Sequence, residues 1–404
     1  MQFKRLTECV CCGNSNLRMC LDLGQQPLAN NLLDDVSQDY TQFELKTQLC
    51  EMCWHQQLSI SVDPALMFDH YVYVSGTSQT LRDYFDWFAV WCKNKWPMHT
   101  SVLDIACNDG SQLNSFKKLG YNTWGVDPAQ NLHDVSSKSH TVMCAYFDEQ
   151  VVQQLNPRKL DLIVAQNVVA HTPTPLEFLK NCKQLMHDGS RLLIQTSQAH
   201  MVRNQEFDTI YHEHVSFFTV HSMKALVQRA GMCLVNVHET PVHGVSYVFE
   251  VALQDDPDSN VHTWLQTEKD TGLTHLVTYD TWSDQAHQLL TELRHTCEAH
   301  AQQGYEIWGL GAAAKGIVML NAAELKLTSV CDENPLKVGK WIPNVNVQIH
   351  ALSDLQHIDP QTPCVFVCMA WNYLEELTHK VRTHRPNSAD KMITYFPEVK
   401  VISI

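Results

Sequence analysis

Residues 101–111, Ser-Val-Leu-Asp-Ile-Ala-Cys-Asn-Asp-Gly-Ser, run from an apolar, strand-like stretch into a short polar loop. Similar apolar stretches follow at residues 122–128, 160–167 and 191–196. Amphipathic segments lie between them at residues 111–120 and 176–189, and the second is expected to end on Gly189. Short buried strands that alternate with helices indicate a parallel sheet covered on both faces. The sequence therefore predicts a doubly wound α/β domain, with ligands beyond the carboxyl ends of its strands.

The size and charge of the chain restrict its class. Its 404 residues are too many for one ordinary core, so two or three domains are expected. A net charge of −15 argues against a general nucleic-acid binder, which needs a basic surface. No apolar run approaches the roughly 20 residues that cross a bilayer, and the N-terminus lacks the apolar core of a secretion signal. We therefore expect a cytoplasmic monomer or weak homo-oligomer without nucleic-acid or membrane partners.

Four cysteines near the N-terminus have the spacing of a metal site and form two C-x-x-C pairs: Cys9, Cys12, Cys50 and Cys53. Two such knuckles supply four thiolates to one tetrahedral zinc ion, and a site closed by four cysteines is structural. Gly13 after the first pair suits the tight turn of a knuckle. Cys11 and Cys20 leave the choice of ligands open, and a set of free core cysteines is the alternative. Most of the other thiols lie singly in apolar segments, so disulfides are not expected in a reducing compartment.

The loop after the first predicted strand indicates a cofactor site. It has one glycine, Gly110, where a dinucleotide fingerprint needs three, but its acidic start and Asn-Asp-Gly form resemble the first motif of class I methyltransferases. Asp127 ends the second strand 23 residues after Asp104, and an acidic side chain there accepts both ribose hydroxyls of a nucleoside. Otherwise an Asp that closes a strand is often only a helix cap. We expect S-adenosylmethionine to be held by residues at three strand ends, namely Asp104, Asn108, Gly110, Asp127, Gln166 and Asn167.

A polar run, Tyr211-His212-Glu213-His214, follows the strand predicted at residues 191–196 and lies within an aromatic segment. On an extended segment the two histidines would share a face and Glu213 would point away. The run lacks the i, i+4 spacing of a helical HExxH metal site. Histidine titrates near neutral pH and is the natural base for removing a proton alpha to a carbonyl. A hydrogen-bonded structural cluster is the alternative.

Residues 305–316 predict a second α/β element, in which a strand runs into a Gly/Ala turn and a helix N-terminus. Such a turn is a favourable place for a phosphate, and Lys315 and Lys337 could add positive charge for a pyrophosphate. Small residues at a strand–helix turn also serve close packing alone, which is the alternative. Residues 255–303 are polar and helical in pattern and are expected to bridge the two α/β domains.

Five separated motifs together resemble the sugar C-methyltransferases that make branched deoxysugars, the dTDP-sugar 3-C-methyltransferases. They are the paired C-x-x-C knuckles, residues 70–78, residues 104–111, residues 211–214, and a C-terminal block comprising residues 309–316, Asn321, residues 331–339 and residues 370–372. No generic methyltransferase carries all five motifs. The resemblance covers nearly the whole chain.

This resemblance implies a class I methyltransferase domain between a small zinc module and a C-terminal Rossmann-like domain that helps to hold a nucleotide-sugar. The expected domains are a zinc module at 1–62, a methyltransferase domain at 63–254, a helical linker at 255–303 and a C-terminal α/β domain at 304–404. The motifs also imply substrate-binding residues, namely Tyr71, Ser75, His243, Lys315, Asn321, Asp332, Lys337, Trp371 and Asn372.

The implied reaction moves a methyl group from S-adenosylmethionine to the carbon alpha to the ketone of a nucleotide-activated keto-deoxysugar. That carbon must first become a nucleophile, so His214 is expected to remove the alpha proton and leave an enolate. Glu213 would orient a neighbour of the base. Tyr211, His212 and Tyr73 would donate to the developing oxyanion or position the sugar ring.

Two stretches depart from the family pattern. The family's H-G-G-S-x-R becomes residues 243–248, His-Gly-Val-Ser-Tyr-Val, and its Pro-Gly becomes Pro343-Asn344. Both lie where substrate is expected, so the exact sugar and its nucleotide stay open. The alternatives are an O- or N-methyltransferase on another metabolite and a non-catalytic, nucleotide-sugar-binding homologue.

Overall fold

The computed structural model describes residues 2–68, 74–77, 79–155, 159–197, 200–242, 245–386 and 389–404. The chain forms two compact units, and each combines several segments. The first unit comprises Met1–Arg18, Gln48–His200 and Glu213–Thr274, and the second comprises Met19–Thr47, Met201–His212 and His275–Ile404. The domain boundaries expected from the sequence stay a prediction. No helix among the described residues is both long and apolar enough to cross a membrane.

The main sheet of the first unit is the predicted doubly wound sheet. Its strands are β6 (Ser101–Ile105), β7 (Asn122–Asp127), β8 (Thr141–Cys144), β9 (Leu162–Gln166), β10 (Arg191–Thr196), β12 (Cys233–Thr240) and β13 (Ser246–Ala252). Within the described residues they lie in the order β12-β13-β10-β9-β6-β7-β8. Strands β6 to β10 pair in parallel, whereas β13 is antiparallel to both of its neighbours. The class I methyltransferase fold predicted from the sequence is confirmed.

Helices cover both faces of this sheet: α2 (Gln79–Lys95), α3 (Ser111–Lys118), α4 (Gln130–Ser136), α5 (Glu149–Leu155), α6 (Pro175–Gln184), α7 (Val220–Arg229) and α8 (Val261–Asp270). The short helix α1 (Ala65–Phe68) has no buried residue. The side chains of successive strand residues point to opposite faces of the sheet. In β6, Val102 packs in one apolar cluster with Phe85 of α2, whereas Leu103 packs in another with Leu179 of α6. This alternation is why the strands read as continuous apolar runs.

Helix α6 is shorter than the sequence pattern indicated. It ends at Gln184, and the expected end at Gly189 is wrong. The chain leaves the helix because the carbonyl of Leu185 accepts from the amide of Leu160 at 2.8 Å, which buries Leu185 and Met186 in the core. Gly189 lies in the following turn before β10.

Short strands join the N-terminal cysteine module to the rest of the first unit. Strand β1 (Phe3–Arg5) pairs antiparallel with β5 (Ile60–Val62). Strand β4 (Gln56–Leu58) pairs antiparallel with β11 (Ser216–Phe217). The second pairing links residues that follow the cysteine knuckles to residues that follow the Tyr-His-Glu-His run.

The second unit contains the predicted second α/β domain. Its sheet strands are β14 (Glu306–Leu310), β15 (Ser329–Asp332), β16 (Trp341–Ile342), β17 (Val347–Ala351), β18 (Cys364–Cys368), β19 (Lys391–Thr394) and β20 (Lys400–Ser403), ordered β16-β17-β15-β14-β18-β19-β20 in the part of the chain that is described. Its helices are α9 (Leu276–Gln302), α10 (Ala314–Ala322) and α11 (Leu374–His384). Strands β2 (Leu17–Pro27) and β3 (Gln42–Cys50), mostly in this unit, are neighbours.

Candidate active site and metal centre

The thiols of the two knuckles converge in the first unit. The sulfur atoms of Cys9, Cys12, Cys50 and Cys53 all lie within 4.8 Å of one another. The Cys9–Cys53 and Cys12–Cys50 sulfur pairs are 3.5 Å and 3.4 Å apart. A regular tetrahedral zinc site with Zn–S bonds of about 2.3 Å needs sulfur separations of roughly 3.8 Å, so the cluster fits zinc with a slight expansion.

Each knuckle closes with the same backbone turn. Gly13 donates its amide to the carbonyl of Cys9, and Trp54 donates to that of Cys50, both at 2.8 Å. Gly13 and Trp54 have left-handed φ values of 79° and 59°. Glycine adopts this conformation freely, as expected for Gly13, whereas a tryptophan there costs roughly 1–2 kcal/mol.

The two additional cysteines lie outside the metal cluster. Cys11 is fully buried, and burial raises its pKa well above that of an ordinary thiol, which keeps it protonated. Cys20 lies on β2 in the second unit. None of the fifteen cysteines forms a disulfide.

The loop after β6 has the strained backbone of a ligand-binding turn. Ala106, Asn108 and Gly110 have positive φ values of 59°, 51° and 81°. The carboxylate of Asp127, at the end of β7, accepts from the amide of Asn108 at 2.8 Å and from that of Ala129 at 2.8 Å. Burial raises the pKa of Asp127, although these two amides oppose the rise. Asp127 therefore braces the loop, and its remaining lone pairs are available to ribose hydroxyls.

The residues before α2 pack against this loop. The amide of Ser75 donates to the side chain of Asn108 at 2.9 Å, and the amide of Gly76 donates to that of Asp109 at 3.0 Å. A Cβ at position 76 would lie 2.2 Å from Asp109 Oδ2, so any larger residue there would displace the Asp109 side chain. Ser75, expected at the substrate, thus lies at the predicted cofactor loop.

Asp104 occupies a different position from the other cofactor candidates. It lies within β6 and is only 4% exposed. Burial, and then the nearby charges of Asp127 and Asp109, raise its pKa well above the usual carboxyl range. Burial therefore favours the protonated, uncharged form of Asp104, which can donate a hydrogen bond.

Buried polar atoms without protein partners mark the carboxyl ends of β9 and β10. Among the described residues, these atoms include Gln166 Nε2, Asn167 Oδ1, Gln195 Nε2 and Thr196 Oγ1. Both side-chain amide atoms of Gln112, in the first turn of α3 after β6, also lack a partner among the described residues. Buried polar atoms are nearly always paired in a complete structure, so these atoms fit a polar ligand such as S-adenosylmethionine. Only Gln166 and Asn167 were expected from the sequence. Gln195 could have been predicted in the same way, because it is a side-chain amide near the end of a predicted strand.

The Tyr-His-Glu-His run is not extended, because Tyr211 to Glu213 form a turn and strand β11 begins only at Ser216. The expectation that its histidines share a face of an extended segment is therefore wrong. His212 belongs to the second unit, where its ring lies 5.8 Å from that of Phe43 and burial lowers its pKa to about 4. Tyr211 is half-buried there, and Glu213 is buried in the first unit.

His214 lies in the first unit beside a second histidine. Its ring centroid is 4.8 Å from that of His171 and 6.5 Å from that of Phe217. His171 ends a 3-10 helix after β9. Burial lowers the pKa of His171 to about 4, although backbone groups of Glu213 and Asn167 oppose the shift. An uncharged imidazole thus lies next to the candidate base, at the sheet edge that carries the unpaired amides.

The second unit groups Trp371 and Lys315 with residues that were not expected. The ammonium group of Lys315 lies 5.0 Å from the ring centroid of Trp371. The Trp371 indole donates to Asp208 at 2.8 Å, and the Tyr395 hydroxyl donates to the same oxygen at 2.9 Å. A cavity of about 390 Å³ lies beside them, lined by Arg203, Asn204, Gln205, Glu206, Trp371, Phe396 and Pro397. The sequence offered one signal for this group, the acidic residue Asp208 three positions before Tyr211.

The Gly/Ala turn after β14 is held by a carboxylate that accepts from two backbone amides, as the loop after β6 is held by Asp127. Asp332 accepts from the amides of Ala312 at 2.6 Å and Asn334 at 2.7 Å. Lys337 donates to the carbonyl of Ala312 at 2.7 Å, and burial lowers its pKa. The predicted strand, turn and helix are confirmed. Asp332 and Lys337 both hold the turn together.

Asn344 preserves the conformation of the glycine that the family has at this position. Its φ of 71° lies in the left-handed region, which asparagine tolerates better than most residues. Its amide donates to Asn321 at 2.8 Å and accepts from Gln42 at 2.9 Å. Asn372 is exposed in a 3-10 helix, Trp371–Tyr373.

Tyr71, Tyr73, His243 and Gly244 lie outside the described residues. The rest of the altered 243–248 stretch lies at the start of β13. Ser246 donates to the carbonyl of Val242 at 2.8 Å, and Val248 is buried in the apolar cluster against α2. The position of the family's arginine is therefore a core position in this chain.

Three family models match successive parts of the chain. "Putative zinc binding domain" matches residues 9–68, "Methyltransferase domain" matches residues 77–237, and "C-methyltransferase C-terminal domain" matches residues 241–397. Together they follow the order of the zinc, cofactor and C-terminal elements described above.

Curated relatives and solved structures were also compared with the chain. It is 27% identical to C-methyltransferase NovU of Streptomyces niveus, over 98% of this chain and 97% of that protein. It is 22% identical to a ubiquinone biosynthesis O-methyltransferase of Cupriavidus pinatubonensis, over 38% of this chain and 69% of the relative. Magnesium protoporphyrin IX methyltransferase from Synechocystis, with bound SAH, aligns at 14% identity and a TM-score of 0.35, over 43% of this chain and 83% of that one.

Proposed function

Because this chain belongs to the S-adenosylmethionine-dependent C-methyltransferases, we propose that it methylates the carbon alpha to the ketone of a nucleotide-activated keto-deoxysugar. When bound, S-adenosylmethionine supplies an electrophilic methyl group. An unactivated sugar carbon cannot accept it, whereas the carbon beside a ketone becomes a nucleophile once a base removes its proton. The residues of the chain must therefore supply that base and hold the resulting enolate.

His214 is the proposed base. The observation that carries the proposal is its position beside His171, with ring centroids 4.8 Å apart, at the sheet edge where buried side-chain amide atoms lack a protein partner among the described residues. His171 is uncharged at neutral pH because burial lowers its pKa to about 4. It therefore adds no positive charge next to the base. Glu213 is proposed to orient this pair, and Tyr211, His212 and Tyr73 are proposed to position the sugar or its oxyanion.

The cofactor is proposed to bind along the ends of β6, β7 and β9. Asp127 would accept the ribose hydroxyls, because its carboxylate is already directed at the loop by the amides of Asn108 and Ala129. Gly110 has a φ of 81°, and a Cβ there would lie 3.2 Å from His140 and 3.3 Å from Ser136, so glycine lets the loop pack closely beside the proposed cofactor site. Gln166 and Asn167 would pair their free polar atoms with the amino-acid part of the cofactor, and Asp104 would support the loop in its protonated form.

The nucleotide is proposed to bind to the second unit, through the predicted residues Lys315, Trp371 and their neighbours. An indole face beside an ammonium group suits a base or sugar next to a phosphate. Arg203, which lines the same cavity as Trp371, adds a second cation. Asn321, Asp332, Lys337 and Asn372 complete the proposed set, together with Tyr71, Ser75 and His243. The domain division into 1–62, 63–254, 255–303 and 304–404 is part of the proposal, as is a cytoplasmic location.

The test is to incubate the purified chain with S-adenosylmethionine and a panel of nucleotide-linked 4-keto-deoxysugars. Mass spectrometry should show a product one methylene heavier, with the new methyl group on carbon. With the demethylated cofactor in deuterium oxide, the alpha proton should exchange. A methyl group on oxygen or nitrogen without such exchange would support the alternative acceptor. Absence of any product from the panel would support a non-catalytic, nucleotide-sugar-binding role.

A variant at position 214 tests the base directly. His214→Asn should lower turnover by roughly 10²–10⁴, the usual worth of general base catalysis. His262→Asn is the matched control, because His262 is exposed on α8, and its turnover should equal that of the parent. Turnover of His214→Asn close to the parent would assign the base to another residue, with Tyr211 the next candidate.

A further inference from the structure

The segment that carries His214 is fastened to the second cysteine knuckle. Strand β11 begins two residues after His214, and its only described strand partner is β4, which begins three residues after Cys53. Ser216 pairs with Gln57, and Phe217 pairs with Gln56. The amide of Leu58 donates to the carbonyl of Val215 at 2.9 Å, directly next to His214.

His55 belongs to the knuckle and to this segment at the same time. Its carbonyl accepts from the amide of Cys50 at 2.9 Å, which closes the knuckle. Its Nε2 lies 3.3 Å from the hydroxyl of Ser216, and its ring lies 5.0 Å from that of Phe218. The side chain is fully buried. A change in the Cys50–Cys53 turn would therefore move the partner of Ser216.

The first knuckle holds β4 from its other side. Gln57 accepts from the amide of Val10 at 2.9 Å and donates to the carbonyl of Glu8 at 3.0 Å. In addition, Arg229 at the end of α7 donates to the carbonyl of Cys11 at 2.7 Å. Strand β4 is thus held by contacts with both knuckles, and a metal ion that joins their four thiols would fix both of these supports.

We propose that the metal-held knuckles position the general base, and that His55 and Ser216 are the positioning residues that connect them to His214. This inference rests on the proposed role of His214. Strands of two and three residues make too few hydrogen bonds to be stable alone. The order of the His214 segment therefore depends on the knuckles that hold β4. A displacement of about 1 Å at a catalytic group lowers turnover by up to about a hundredfold.

Paired variants of Ser216 and His55 test the connection. Ser216→Ala and His55→Phe should lower kcat by about tenfold, while the zinc content and the affinity for S-adenosylmethionine stay within about twofold of the parent. Ser216→Thr keeps the hydroxyl and should restore kcat. Unchanged kcat in Ser216→Ala and His55→Phe, with His214→Asn inactive, would overturn this inference and leave the proposed function in place.

Amide hydrogen exchange provides a readout that is independent of turnover. In His55→Phe, and in the full chain after zinc removal by a chelator, amides of residues 213–218 should exchange at least about tenfold faster, while those of β9 and β10 stay protected. Unchanged exchange at 213–218 after zinc removal would overturn the inference. Full turnover in His214→Asn would overturn the proposed base, and with it this inference.

Discussion

The imidazole rings of His171 and His214 have centroids 4.8 Å apart and are inclined at 60°. His171 is half-buried, its buried Nδ1 has no protein partner among the described residues, and desolvation lowers its pKa to about 4. The pair therefore combines an imidazole that stays neutral with the candidate base. A neutral neighbour is compatible with a base that must itself accept a proton, because two adjacent imidazolium groups would repel each other.

The neutral His171 makes stability depend on pH in a defined window. In the unfolded chain the pKa of His171 is near its ordinary value of 6.5, whereas burial in the folded chain lowers this pKa to about 4. The unfolded state thus binds more protons between these values, and stability falls as the pH falls from 6.5 towards 4. Between pH 7.5 and pH 5 the parent should lose roughly 2 kcal/mol of unfolding free energy through this group, and His171→Gln should not show that part of the loss. Urea unfolding at the two pH values measures it, and an unchanged difference between them would contradict the burial of a neutral imidazole.

Asp127 should control cofactor affinity. Asp127→Asn removes the charge that would accept two ribose hydroxyls, each worth about 1.5–3 kcal/mol, so the affinity for S-adenosylmethionine should fall at least about tenfold. Asp332→Asn is the matched control, because Asp332 braces the equivalent loop of the second unit in the same way. Isothermal titration with the cofactor should show no change for the control. Equal losses in both variants would mean that Asp127 only supports the fold.

Glu250 should dominate the acid stability of the first unit. Its carboxylate is 1% exposed and is paired with Lys95 at 2.5 Å and with Arg191 and His238 at 3.1 Å each. Burial alone would raise its pKa, but hydrogen bonds from His238 and Lys95 lower it to about 2. Glu250 therefore stabilises the folded chain fully above about pH 4.3, the pKa of a glutamate in the unfolded chain. This stabilisation is lost as the pH falls from there towards 2.

Glu250→Gln at neutral pH should cost about 2 kcal/mol of unfolding free energy, because a buried amide replaces a carboxylate that accepts charge-assisted hydrogen bonds from the partly exposed cations Lys95 and Arg191. The matched control is Asp86→Asn, which breaks an ion pair with Lys118 whose side chains are 54% and 66% exposed. An exposed pair is worth about 1 kcal/mol or less. Denaturant midpoints of the two variants should differ accordingly. A loss for Glu250→Gln no larger than for Asp86→Asn would show that the buried network contributes little.

The metal cluster predicts which cysteines bind zinc. Cys50→Ser should remove the ion and destabilise the N-terminal module, since structural zinc supplies folding energy directly. Cys20→Ser should keep one zinc ion per chain, because Cys20 is not among the clustered thiols. Metal analysis of the purified variants, followed by thermal unfolding, distinguishes them. Zinc retained by Cys50→Ser would point to a replacement ligand, and the ligand set would have to be revised.

Local pattern was sufficient for the strands, the knuckles and the family. Strands β6, β7, β9 and β10 read correctly because residues buried on both faces must be apolar throughout. The C-x-x-C spacing predicted the four thiols that do converge, since each pair lies within one turn of chain. The family predicted from five motifs is confirmed by family models that match along the chain.

Contacts between residues far apart in the chain decided the rest. His212 and His214 are two residues apart, yet the boundary between the compact units falls between them, and a turn replaces the expected extended segment. His55 meets Ser216 across 161 residues, and Glu250 meets Lys95 across 155. No local pattern encodes such pairings, because burial and charge compensation are satisfied only when the whole chain has folded. Composition and periodicity thus specify which segments form strands and helices, whereas packing specifies which side chains meet.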